Sequence, residues 1–138
     1  MDSDVPDGFE LARFSPGFLE RAGPYWLCPE GGLVVVGLRV DRQHINYVDV
    51  AHGGVLSTLA DVAMSYQVHA SEEPRLNVVT NSLTCNFLSG AKLGDWLEAH
   101  ARIDRIGKRT AYVSGDIRCG DQRLLTMTGV FAILRTGA

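Results

Sequence analysis

Near the middle of the chain, Gly53 to about Ala70 reads GGVLSTLADVAMSYQVHA. Apolar side chains fall at 55, 56, 59, 60, 62, 63 and 64. That spacing is helical, and it leaves almost no polar side. A helix that is apolar nearly all round must be surrounded by other elements. Glu72-Glu73-Pro74 stops it. Beyond Pro74 the period drops from helical to two. Val79, Leu83, Cys85 and Phe87 are expected to share one face of a strand. Leu97, Ala99, Ala101 and Ile103 alternate with Glu98, His100, Arg102 and Asp104. Ala111, Val113, Ile117 and Cys119 alternate with Tyr112, Ser114, Asp116 and Arg118. This pattern predicts a sheet with one dry face and one wet face. Gly107-Lys108 and Gly120-Asp121 supply hairpin turns, and a last strand covers about 124–135.

Ahead of the helix, residues 32–41 (GLVVVGLRVD) are rich in β-branched side chains and read as a strand. Residues 42–52 hold no clear period and read as a loop. Ser15-Pro16 reads as an N-cap followed by Pro at the first helical position. Phe18, Leu19 and Ala22 would give that short helix an apolar side, and Gly23-Pro24 ends it. Residues 1–8 read as a frayed, acidic lead. The fold class is therefore α+β, with a curved antiparallel sheet wrapped around one long central helix. At 138 residues, the expectation is a single domain over 1–138.

Composition removes several function classes. Thirteen Lys plus Arg stand against 16 Asp plus Glu, so a general nucleic-acid binder is disfavoured. No apolar run approaches the roughly 20 residues that span a bilayer, so no membrane role is expected. Met1 to Asp7 carries three aspartates and does not resemble a secretory leader. Cys28, Cys85 and Cys119 are odd in number and widely spaced, which suggests neither a disulfide framework nor a zinc knuckle. A reducing cytoplasm is the expected compartment. His44, His69 and His100 show no metal-ligand spacing, so no metal is expected. The phosphate loops of nucleotide enzymes and the G-x-S-x-G serine elbow are absent.

Two anomalies carry chemistry. His52-Gly53-Gly54 abuts the helix start, where free N–H groups and the helix dipole favour negative charge. An oxyanion formed during a reaction would be stabilised there. The same residues also suit a turn that merely starts a helix. Asp61 lies between Ala60 and Val62, and a carboxylate in such surroundings needs partners. Ser57, Thr58 and Ser65 lie within one turn and could supply hydroxyls, which would make Asp61 structural; the alternative is a catalytic acid. Gly53 and Asp61 are eight residues apart, about 12 Å at roughly 1.5 Å per residue. One side chain cannot span that. A second helix running antiparallel across a two-fold axis would bring each Gly53 end to the partner's Asp61.

The pattern N-x5-H-G-G-x4-L-x-D-x-A, filled by Asn46, His52, Gly53, Gly54, Leu59, Asp61 and Ala63, resembles the hotdog-fold acyl-CoA thioesterases, and most of all their phenylacetic-acid-degradation (PaaI-type) branch. The resemblance extends over roughly residues 30–135 and includes F-L-S-G-A-K-L-G-D at 87–95. Gly90 stands where many relatives carry Pro, and Ser65 where many carry Gly. The resemblance implies hydrolysis of an acyl-CoA to a free acid and coenzyme A, without a cofactor, in a homodimer that pairs further into a homotetramer. It implies that the Gly53 amide polarises the thioester carbonyl beside Gly54. Asp61 of the partner subunit would attack or activate water. Asn46 would orient the carbonyl or carboxylate, His52 would shape the turn and assist thiol departure, and Thr80 would steady the water.

Read without the resemblance, Thr80 is an ordinary strand residue, Asn46 a turn former and His52 a loop histidine. Arg105, Lys108 and Arg109, with Arg102, cluster at a hairpin; they could meet the phosphates of coenzyme A or simply be solvated. Trp26, Tyr47, Tyr66 and Phe87 could line an acyl pocket or belong to core or interface. Two other functions fit the same fold: a non-catalytic acyl-CoA binding module, and an enoyl-CoA hydratase. The hydratase fits poorly, because His69 lies about 12 Å along the helix from Asp61.

Overall fold

The computed structural model describes residues 5–135, so positions 1–4 of the expected lead lie outside the described residues. In chain order the elements are β1 (Glu10–Leu11), α1 (Phe18–Ala22), β2 (Tyr25–Glu30), β3 (Leu33–Arg39), α2 (Gly53–His69), β4 (Asn77–Phe87), β5 (Trp96–Ile106), β6 (Thr110–Cys119) and β7 (Gln122–Leu134). A short 3-10 turn covers Arg42–His44. The strands form one sheet in the order β1-β2-β3-β5-β6-β7-β4, and every pairing is antiparallel.

The sheet curves around α2, which touches β3 through β7. Leu56, Leu59, Ala60, Ala63, Met64 and Val68 are buried against Val36, Leu38, Leu97, Ile117, Met127 and Phe131. Burying a side chain the size of Leu59 or Met64 stabilises by about 1.5–3 kcal/mol, so the all-round apolar character of α2 drives the wrapping. Gly129 lets the helix approach, since a Cβ there would come within 3.0 Å of Met64 Cε. Gln67, the one buried polar residue of α2, bonds both backbone groups of Val34. The pairing of β3 with β5 runs only from Val36 to Arg39, so Gln67 serves Val34 where no strand does.

Three local expectations are corrected. β2 is a strand where none was expected. Its Pro29 is tolerated because β1 pairs only with Trp26 and Leu27, so no ladder asks Pro29 for an N–H. The short helix begins at Phe18 rather than at Pro16, with Gly17 and not Ser15 at its N-cap and no side-chain cap bond. Phe18 is 67% exposed, so Leu19 and Ala22 alone pack inward. Finally, Val79 does not share a face with Leu83, Cys85 and Phe87. The ladder with β7 pairs Thr80 with Phe131 and Ser82 with Val130, leaving Asn81 as an extra residue. This bulge exchanges the two faces of the strand. Val78 and Thr80 therefore point inward with Leu83 and Cys85, and Val79 is exposed.

β4 occupies one edge of the sheet. It pairs with β7 on one side, and no strand pairs with its other side among the described residues.

Candidate active site

Asp61 lies two turns into α2, half-buried on the side facing β4. Its Oδ1 accepts a hydrogen bond from the Thr80 hydroxyl at 2.6 Å. No other group among the described residues hydrogen-bonds to that carboxylate. The hydroxyls expected to satisfy Asp61 are used elsewhere. Thr58 donates to the Gly54 carbonyl, Ser65 to the Val62 carbonyl, and Ser57 is in hydrogen-bonding contact with the Cys85 thiol. Burial pushes the Cys85 thiol above its ordinary pKa, and the charge of Asp61 adds to the rise.

The second group forms at the start of α2. His52 is the N-cap, and its Nδ1 accepts from the Gly54 N–H at 2.8 Å. An accepting Nδ1 places the proton of the neutral ring on Nε2. The N–H groups of Val55 and Leu56 reach the His52 carbonyl. The Gly53 N–H has no partner among the described residues, and Gly53 is exposed. It is the one free donor of this opening turn, because the cap consumes the N–H of Gly54. Phe87 lies over this turn, with its ring 3.8 Å from where a Cβ on Gly53 would stand.

The approach to the helix is pinned by His44, which is 1% exposed. Its Nε2 donates to the Ala22 carbonyl at 2.6 Å, and its Nδ1 accepts from the Asp41 N–H at 2.9 Å. Its carbonyl accepts from the His52 N–H at 2.8 Å. Residue types alone do not reveal this role, because both contacts of the ring are to backbone atoms, one of them 22 residues away. Asn46 folds back on its own loop: its Oδ1 accepts from the N–H groups of Val48 and Val50. That leaves its side-chain amide N–H groups without a partner among the described residues. The loop tip presents Tyr47, which is 97% exposed.

Within one chain, then, the fold joins Asp61 to Thr80 and groups His52 with Gly53 and Gly54. It does not join the two groups, which are separated by about 12 Å of helix at roughly 1.5 Å per residue. Arg105, Lys108 and Arg109 lie at the β5–β6 hairpin and are exposed. Arg135 donates to the Lys108 carbonyl and pairs with Glu72, so this hairpin sits at the C-terminal end of α2, away from Gly53.

A cleft of about 500 Å³ opens beside Asp61 and Thr80 and follows α2 past Ser65 and Tyr66 to His69. Its opposite wall is the segment Arg13–Ser15 together with Leu19. Of the four aromatics expected at a pocket, only Tyr66 lines it. Among the described residues no group of three or more His, Cys, Asp or Glu could hold a metal ion. No helix among them is long and apolar enough to cross a membrane.

The family model described as the thioesterase superfamily matches residues 49–126, the stretch that carries His52, Gly53, Asp61 and Thr80. The chain belongs to the thioesterase superfamily. A Pseudomonas aeruginosa protein provisionally named an esterase is 42% identical over 130 residues, covering 93% of this chain and 96% of its own. Escherichia coli acyl-coenzyme A thioesterase PaaI is 32% identical over 96 residues, 70% of this chain and 66% of that one. The PaaI structure superposes with a TM-score of 0.69 at 28% identity, over 74% and 72% of the two chains. The Bacillus halodurans protein BH2602, solved with CoA, gives a TM-score of 0.71 at 28% identity, over 78% and 72%. This superfamily member therefore has the hotdog architecture, with its sheet curved about α2.

Proposed function

We propose that the protein hydrolyses an acyl-CoA thioester to a free acid and coenzyme A, in a site shared between two copies of the chain. One observation carries the reading. A carboxylate with a single hydrogen-bond partner and a free helix-initial N–H lie on the same helix, too far apart for one thioester to meet both. The unpartnered edge of β4, which carries the exposed apolar residues Val79 and Phe87, offers a surface through which a second copy can join. The resemblance noted above extends this dimer to a tetramer.

In this reading the Gly53 N–H donates to the thioester oxygen, where negative charge grows. Asp61 of the partner subunit removes a proton from water as the water oxygen bonds to the carbonyl carbon. Thr80 donates to Asp61, and its oxygen retains a lone pair that can accept from the water. The tetrahedral intermediate collapses, the C–S bond breaks, and the thiolate takes the proton that Asp61 removed from the water, while Nε2–H of His52 assists by hydrogen-bonding the departing sulfur. The free side-chain amide of Asn46 orients the carbonyl or the carboxylate. Arg105, Lys108 and Arg109 attract the nucleotide phosphates of coenzyme A. Direct attack by Asp61 on the carbonyl carbon uses the same groups. Single turnover in oxygen-18 water separates the routes, because label enters Asp61 only if the acid itself attacks.

The crystal structure of BH2602 with CoA, and the naming of PaaI as an acyl-coenzyme A thioesterase, support acyl-CoA as the substrate class. The test is a panel of acyl-CoA thioesters with detection of free thiol. Thiol release identifies the hydrolase. Binding without release identifies an acyl-CoA binding module, and loss of enoyl absorbance without release identifies a hydratase.

A further inference from the structure

We infer that the acyl group lies in the cleft beside Asp61 and that Phe14 is the specificity-determining residue that limits its length. This rests on the thioesterase reading and deepens it. The cleft starts at the Asp61–Thr80 pair, where the carbonyl carbon must sit, and continues along α2 to His69. The Phe14–Tyr66 ring pair stands five residues along that path, about 7.5 Å from Asp61 at roughly 1.5 Å of helix rise per residue. The cleft volume of about 500 Å³ falls within the roughly 300–1,000 Å³ usual for small-molecule sites. Arg13, Ser15 and Asn77 also line it, and two further polar groups are engaged with backbone. Ser65 donates to the Val62 carbonyl, and Nδ1–H of His69 donates to the Leu76 carbonyl. The apolar part of the lining, which meets an acyl chain, is Phe14, Leu19, Val62, Tyr66 and Val78.

Phe14 is placed to act as a stop. Its ring packs against Tyr66 at 6.0 Å and against Tyr25 at 6.1 Å. Tyr25 is 3% exposed, so Phe14 is braced from behind by the core. The segment is tied down where the Ala12 N–H donates to the Tyr25 carbonyl at 2.9 Å. Residues 13–19 also lie outside the stretch 49–126 that matches the superfamily, so this wall belongs to the chain's own N-terminal segment. The ligand class is an acyl group that ends at the Phe14–Tyr66 ring pair: an aryl-acyl or medium straight chain, as opposed to a long fatty acyl chain.

The test compares kcat/KM for hexanoyl-, octanoyl-, dodecanoyl- and palmitoyl-CoA in the wild type and in Phe14→Ala, Phe14→Leu and Phe14→Trp. A methylene in an apolar pocket changes rates roughly 10–200-fold, so Phe14→Ala should raise the dodecanoyl-to-hexanoyl ratio at least about tenfold. Phe14→Leu should raise it less, and Phe14→Trp should lower it. A purely structural role would depress all four substrates together. Wild-type ratios in folded Phe14→Leu and Phe14→Trp overturn the assignment while leaving the thioesterase reading intact. A wild type that prefers palmitoyl-CoA overturns it as well. If the wild type releases thiol from no acyl-CoA, the thioesterase reading fails and takes this inference with it.

Discussion

The hydroxyl of Thr80 donates to Asp61 across 2.6 Å, tying the edge strand β4 to the middle of α2. A hydrogen bond to a charged group contributes about 1.5–3 kcal/mol, or roughly 10–100-fold in rate if it is needed in the transition state. Thr80→Val should therefore lower kcat by about that factor, and Thr80→Ser should restore most of it. Asp61→Asn should lower kcat by about 10²–10⁴-fold with an unchanged circular dichroism spectrum. Near-wild-type turnover in Asp61→Asn would remove the carboxylate from the reaction.

The free amide can be deleted without disturbing the helix. Gly53 is the first residue of α2, a position where Pro is accommodated, and His52 at φ −59° and ψ 139° already has the backbone that a following Pro requires. Gly53→Pro should cost about 10²–10³-fold in kcat, the effect of losing one oxyanion donor. Mixing this variant with Asp61→Asn should give hybrids with one intact site and regained activity. Subunits that exchange and yield only inactive hybrids would rule out the shared site.

His44→Leu should destabilise the fold by about 1–3 kcal/mol, because it removes the ring's hydrogen bonds to the Asp41 N–H and to the partly buried Ala22 carbonyl. Thermal unfolding measures the loss. Activity should fall at temperatures where the protein is still folded, since the loop bearing Asn46 and His52 hangs on the same residue. Equal Tm values for His44→Leu and wild type would show that the ring bonds add nothing.

Burial pushes the Tyr25 hydroxyl from 10.0 up to about 12. The folded state holds this proton more tightly than the unfolded chain. The associated stability is thus complete below pH 10 and is lost as the pH rises through about 12. Tyr25→Phe should flatten the fall in Tm over that window. The hydroxyl is buried and has no hydrogen-bond partner among the described residues, so the same change should be neutral or stabilising at pH 7. A clear loss of stability at pH 7 would mean that the hydroxyl has a partner in solution.

The parts of the fold that were legible in the sequence are those with a sustained period. α2 declares itself because Leu56, Leu59, Ala60, Ala63 and Met64 recur at helical spacing, and β5 and β6 because Leu97 to Ile103 and Ala111 to Val113 alternate cleanly. β2 was hidden because Pro29 ordinarily argues against a strand, and its tolerance depends on how short β1 is. The site was half legible. Asp61 stood out as a carboxylate in apolar surroundings, and Gly53 as a glycine opening a helix. The link from Asp61 to Thr80 was not readable from residue types alone, since it depends on a register change. The role of His44 was invisible because its partners, Ala22 and Asp41, contribute backbone atoms whatever their side chains.

Asn81 matters for its presence in the count more than for its chemistry. Taking it into the ladder opposite Phe131 would restore strict alternation along β4, turn the hydroxyl of Thr80 outward, and bring Val79 round to confront the carboxylate. Leu83, Cys85 and Phe87 would keep their seats. A chain shortened by Asn81 would keep Thr80 opposite Phe131, so at this length it is the unpaired residue that secures the acid its companion.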